Sequence, residues 1–169
     1  LYYRADPNVE IHKGECLVHI AAVKQNFGIF DYLRNVDFDP NIRGAGGNTP
    51  LHLAVVSKHK GKTTDHRDLM AKTLLKLGAD INAQNDIGFT ATHYATGLPK
   101  PETLSLLVKN KKLDPYLLTK QKRTILHTAV EAGKKNNVSI VASRFPDLLE
   151  MKDKDGLTPL QMAINGNKK

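Results

Sequence analysis

The chain has 169 residues, 40% apolar and 25% charged, a balance that suits a folded protein of ordinary domain size and excludes a disordered or low-complexity chain. No stretch approaches the roughly 20 apolar residues of a membrane-spanning helix, no signal-peptide pattern opens the chain, and the single cysteine, Cys16, excludes an internal disulfide framework. The net charge of +8, from 25 Lys+Arg against 17 Asp+Glu, keeps a protein soluble and can steer acidic partners or nucleic acid toward it.

In chain order, Ala5-Asp6-Pro7-Asn8 parallels Ala79-Asp80-Ile81-Asn82, so residues 1–8 read as the end of a unit whose front lies upstream, and the chain as a segment of a longer polypeptide. A helix is expected from about Leu17 and a second from about Gly28 to Leu33, where Ile29, Phe30, Tyr32 and Leu33 follow helical spacing. The glycine-rich run Arg43–Gly47 lacks both a full dinucleotide fingerprint and a phosphate-loop lysine and reads as a hairpin finger. Thr49-Pro50 then opens a helix: the threonine can cap it, and proline fits a first turn whose N–H is not needed. Residues 57–68 are a polar insertion, a candidate for partner contact or for modification at Thr63 or Thr64. Its His59 and His66 lie seven apart with no cysteine partner, so no metal is expected. Gly78 is placed to stop the next helix.

Pro99-Lys100-Pro101 fixes the start of a helix carrying Leu104, Leu107 and Val108. A further pair begins near Thr124 and covers Val138–Phe145, where Pro146-Asp147-Leu148-Leu149 replaces the Gly-Ala-Asp ending seen at 78–80. Asp155-Gly156-Leu157-Thr158-Pro159 opens one more copy. It is expected to stop before a second helix, leaving an apolar face that sequence beyond it or a partner would cap.

These pieces share one phase. Anchors at Gly14, Gly47, Gly88, Lys122 and Gly156 are separated, by subtraction, by 33, 41, 34 and 34 residues, the long interval containing the insertion. Five residues after each anchor stand His19, His52, His93, His127 and Gln161, and two further on Ala21, Ala54, Ala95, Ala129 and Ala163. With TPLHLA at 49–54, TPLQMA at 158–163 and LLKLGADINAQNDIG at 74–88, the chain resembles the ankyrin repeat over nearly its whole length. The resemblance implies an all-α solenoid of stacked helix-turn-helix units with β-hairpin fingers, here a single domain over residues 1–169.

No catalytic, cofactor or metal site is expected. The histidines recur with the repeat, and the resemblance implies that they hydrogen-bond the loops of adjacent units. Cys16 and His19 occupy the places of Thr49 and His52, which argues against a nucleophile and its base. Ankyrin proteins bind other proteins through finger tips and the inner face of the first helices. Carried across, those places are Arg43 and Asn48 in the second copy; Asp86, Ile87 and Phe89 in the third; Lys120, Gln121, Arg123 and Glu131 in the fourth; Lys154 and Leu157 in the fifth; and, as outer candidates, Lys13, Glu15, Val23 and Lys24 in the first. Ile87 and Phe89 read as an exposed aliphatic beside an exposed aromatic, a type of anchor that carries binding energy, and Lys120 and Arg123 could fix an acidic segment. The expected partner is thus a protein, in the cytoplasm or nucleus. Nucleic acid is the less favoured partner, because the basic runs lack interleaved aromatics. A targeting role for an enzyme encoded outside this segment is the third reading.

Overall fold

The computed structural model describes residues 6–12, 14–57 and 66–166. Lys13, His59, Thr63 and Thr64 lie outside the described residues. The packing divides the chain into two compact units, residues 1–86 and 87–169.

In the first unit, strands β1 (Glu10–His12) and β2 (Glu15–Cys16) pair antiparallel around Gly14. Helices α1 (Leu17–Lys24) and α2 (Phe27–Leu33) follow, then α3 (Pro50–Val56) and α4 (Arg67–Lys76). None of these helices exceeds ten residues, too short to be stable alone in water, so each depends on its buried face. Val18, Ala21 and Ala22 of α1 pack toward Leu51, Ala54 and Val55 of α3, all fully buried, and the alanines let the two inner helices approach closely. Phe30 and Leu33 on α2, with Met70, Ala71 and Leu74 on α4, supply the bulk of the outer layer. Helix α4 stops as expected at Gly78 (φ 94°): Ala79 N–H donates to Leu74 O and Gly78 N–H to Leu75 O, which satisfies two terminal carbonyls.

The Asp-Pro-Asn and Asp-Ile-Asn segments are joined by asparagine side chains. Asn8 donates to Asp37 O (3.3 Å) and accepts from Asp39 N–H (2.9 Å), and one repeat later Asn41 donates to Gly78 O (3.2 Å) and accepts from Asp80 N–H (2.6 Å). An asparagine amide offers a donor and an acceptor together, which is what a neighbouring loop backbone requires.

The second unit contains α5 (Ala91–Ala95), α6 (Glu102–Val108), α7 (Ile125–Glu131), α8 (Lys135–Arg144) and α9 (Pro159–Gly166). Helix α7 packs on α5, α8 and α9 through Ile125, Leu126 and Ala129, while α6 meets α8. Helix α5 has only five residues, and the carbonyls beyond it are satisfied from outside: Asn137 on α8 donates to Thr96 O (2.8 Å) and Leu98 O (2.9 Å). After α8 the sequence Pro146–Leu149 forms a 3₁₀ turn whose Leu148 is fully buried, a different ending, as its composition suggested.

Hairpin turns precede the first helix of each repeat. Those at 44–48, 119–123 and 153–157 are spanned by equivalent backbone bonds, Gly44 N–H to Asn48 O, Thr119 N–H to Arg123 O and Asp153 N–H to Leu157 O, and each has a tighter bond inside it, Gly47 N–H to Gly44 O, Lys122 N–H to Thr119 O and Gly156 N–H to Asp153 O. Among the described residues paired strands occur only in the first finger. All five anchors are left-handed: Gly14 (φ 81°), Gly47 (69°), Gly88 (79°), Lys122 (54°) and Gly156 (75°). Lys122 is the exception in chemistry, since a Cβ is strained there. Lys122→Gly is expected to raise stability by about 0.5–1 kcal/mol, the relief of strain exceeding the extra entropy of an unfolded glycine. Urea denaturation measures it, and an unchanged or lowered midpoint would contradict the strain argument.

Candidate functional site

Each first helix is held to its finger by one side chain at its third position. In α7 the Thr124 N–H (3.2 Å) and hydroxyl (2.9 Å) both meet His127 Nδ1, and Thr124 Oγ1 accepts from the His127 N–H (3.4 Å). A backbone N–H can only donate, so Nδ1 is the acceptor and the ring proton sits on Nε2, which donates to Leu157 O in the next finger (3.1 Å). His93 repeats this with Thr90 and with Arg123 O (3.4 Å), and His19 with Cys16 and Asn48 O (3.2 Å). The Cys16 thiol lies 3.2 Å from His19 Nδ1, where threonine places its hydroxyl. In α9, Gln161 takes the same place: its Oε1 accepts from Thr158 N–H (2.9 Å). The arrangement is a capping box in which imidazole replaces the usual glutamate or glutamine and adds a bond to the adjacent repeat. Burial pushes the imidazoles of both His19 and His127 below the ordinary histidine value, although their hydrogen bonds to Asn48 and Leu157 oppose this.

The fingers are also joined to one another. In the first unit Asp86 N–H donates to Gly46 O (3.0 Å); in the second, Lys120 N–H donates to Ile87 O (3.1 Å) and Lys154 N–H to Gln121 O (2.9 Å). These rungs arrange the tips in rows.

In the first unit, exposed Arg43 donates to Gln84 O (2.8 Å) and pairs with Asp86 (3.0 Å), and Asn48, half-buried, accepts from the Asn85 amide (2.9 Å). Of the first-copy candidates Glu15 and Val23 are half-buried and Lys24 exposed. In the second unit Ile87 is 51% exposed, and Lys120, Gln121 and Lys154 are exposed. Leu157 is half-buried. Phe89 is also half-buried and not exposed as expected, because its ring lies against Tyr94 (5.0 Å between centroids) and His93 (5.5 Å). Arg123 pairs with Glu131 (2.8 Å) and approaches the buried Asp153 (3.8 Å), so two candidate contacts meet each other across the inner face of α7.

Repeat phase did not identify Leu118, 37% exposed next to the Gly88 turn, or Tyr116, 49% exposed with its hydroxyl donating to Asp147 (3.2 Å). That bond raises the Tyr116 pKa above the ordinary phenol value, since it favours the protonated form. The positive charge is unevenly distributed. Residues 87–169 contain fourteen Lys+Arg against seven Asp+Glu, whereas residues 1–86 contain eleven against ten. Among the described residues no group of three or more His, Cys, Asp or Glu could hold a metal ion, and no helix is long and apolar enough to cross a membrane.

The family model for ankyrin repeats (three copies) matches residues 1–85 and again residues 62–148. The chain belongs to the ankyrin-repeat family. Its all-α repeats are those of an ankyrin solenoid, and the histidine bonds observed here are the inter-repeat bonds that the sequence resemblance implied. Relatives include the human neurogenic locus notch homolog protein 2, 35% identical over 107 residues, which covers 63% of this chain and 4% of that protein. The mouse B-cell lymphoma 3 protein homolog is 29% identical over 165 residues, covering 91% of this chain and 34% of its own length. The chicken nuclear factor NF-kappa-B p105 subunit is 29% identical over 126 residues, 73% of this chain and 12% of that protein. The ankyrin chain therefore spans a minor part of each of these relatives. Ankyrin repeats are typically protein–protein interaction modules.

Proposed function

We propose that this chain is a non-enzymatic ankyrin domain over residues 1–169, with repeats anchored near 14, 47, 88, 122 and 156, that binds a partner protein through its finger tips and first helices. It would serve as part of a longer regulatory, adaptor or effector protein in the cytoplasm or nucleus, a placement in keeping with the words "nuclear factor" in the name of one relative. The observation carrying this reading is the finger row of the second unit. Ile87 is half-exposed while its carbonyl is bonded to Lys120 N–H, so an apolar anchor and a lysine are fixed side by side before any partner arrives. Preorganisation of this kind lowers the ordering cost of binding. Lys120 and Lys154 have no ion-pair partner among the described residues, which supports an acidic segment in the partner, whereas Arg43, Asp86, Arg123 and Glu131 already pair within the chain.

The test is affinity purification from the native cell with the wild-type chain and with Ile87→Asp and Lys120→Glu, both at exposed positions. The same specific partner is expected to bind wild type and to be lost, by about tenfold or more in affinity, with Ile87→Asp, as for a central apolar anchor. Lys120→Glu is expected to slow association and to lose less. A partner retained by both variants would remove this face from consideration. The charge excess of residues 87–169 favours one second reading, polyanion binding. That reading requires affinity to fall steeply with salt, whereas an Ile87-anchored contact should respond weakly.

A further inference from the structure

The outer helices of the second unit enclose a groove unrelated to the fingers. Ser105 and Val108 of α6, with Lys109 capping its C-terminal end, form one wall, Ile140, Ser143 and Arg144 of α8 the other, around a volume of about 360 Å³. The floor is aliphatic, from Val108 and half-buried Ile140, and no carboxylate lines it. Lys109 and Arg144 are both exposed, on opposite walls, and neither has an ion-pair partner among the described residues. Arg144 lies over the ring of its neighbour Phe145, 5.8 Å from the centroid. By contrast Arg34, Arg43 and Arg123 pair with carboxylates and Arg67 donates to Ser57 O. At helix C-termini such cations complement the terminal carbonyls. That accounts for one cation on each helix but not for an apolar channel left open between them.

We propose that this groove is a second docking surface, for a short acidic peptide segment that carries a large aliphatic side chain between carboxylates. The aliphatic group would cover Val108 and Ile140, and the carboxylates would meet Lys109 and Arg144, where the arginine can accept them in bidentate fashion. Peptide is the occupant that this chemistry favours. No aromatic ring lines the groove to stack a nucleobase, and two cations are too few to track a polyphosphate backbone. The surface lies on α6 and α8, so it stands or falls independently of the finger-row proposal.

The experiment titrates the isotope-labelled full chain with a short peptide of alternating Glu and Leu, and in parallel with an all-Glu peptide of equal length and with oligothymidylate. Amide shifts with the Glu-Leu peptide are expected at Ser105, Val108, Lys109, Ile140, Ser143 and Arg144. The double reversal Lys109→Glu/Arg144→Glu should weaken binding by about tenfold or more while lowering the circular-dichroism melt by no more than a few degrees, the small loss expected when exposed helix-end cations are reversed. Ile140→Gln, which leaves the charges in place, should also weaken it. Ile87→Asp should leave it intact, which separates this surface from the fingers. Shifts confined to the finger rows, equal occupancy of the groove by all-Glu peptide or oligothymidylate, or affinity indifferent to the double reversal would each overturn the proposal, as would absence of binding.

Discussion

Replacing His127 by alanine is expected to cost about 3 kcal/mol, a large fraction of the stability of a domain of this size. The substitution removes the acceptor of the Thr124 N–H and hydroxyl and the donor to Leu157 O, while Thr124 itself stays fully buried. Orphaned buried groups of this kind carry the full desolvation penalty. His127→Gln should cost only about 1 kcal/mol, since Gln161 already serves as acceptor for Thr158 N–H at the same position of α9. Urea denaturation of both variants decides the matter, and equal losses would show that imidazole packing, not hydrogen bonding, is what counts.

The same geometry fixes a pH response. His19 and His127 are held below the ordinary histidine value chiefly by burial, so they are neutral in the native chain. Because the folded values lie below the unfolded one, the unfolded chain binds protons first as the pH falls. Their contribution is thus complete above about pH 6.5 and declines as the pH drops through the folded values. The urea midpoint should be level above neutrality and fall on acidification, with a shallower fall in His127→Gln.

The repeated Thr-Pro starts, the Gly78 stop and the recurring histidines were readable because they are local: each depends on neighbours within a few residues. The helix positions around Leu17, Glu102 and Thr124 follow from such signals. The candidate face was legible only as a set of positions. Phase places Phe89 on a finger but cannot tell that its ring turns back onto His93 and Tyr94. Nor can it tell that Arg43 reaches Asp86, or that Arg123 spans eight residues to Glu131, because side-chain direction depends on neighbours brought close by folding. The α6–α8 groove escaped for the same reason, its walls lying far apart in sequence. Asn8 and Asn41, by contrast, belong to the Asp-Pro-Asn pattern, and their recurrence was the signal for loop-joining side chains that the sequence did offer.

Two glycines at the same repeat position should respond very differently to one methyl group. Gly88 (φ 79°) and Gly156 (φ 75°) have nearly the same left-handed backbone, so an alanine at either is strained by about 1 kcal/mol. A Cβ at Gly156 meets no described atom within 4 Å, and Gly156→Ala should cost little beyond that strain. At Gly88 the same atom would lie 2.9 Å from Lys120 N and from Thr119 Cα and 3.1 Å from Leu118 O, all backbone of the next finger. Backbone cannot swing aside as a side chain can, so either the two fingers separate or the turn unwinds. Either response strains the bond from Lys120 N–H to Ile87 O. Gly88→Ala is therefore expected to cost about 3 kcal/mol or more in urea denaturation and to accelerate hydrogen exchange at the Lys120 amide. Equal penalties at the two glycines would mean that conformation alone governs the position. In that case the close seating of one finger on the next, which holds Ile87 and Lys120 together, would contribute nothing to holding them.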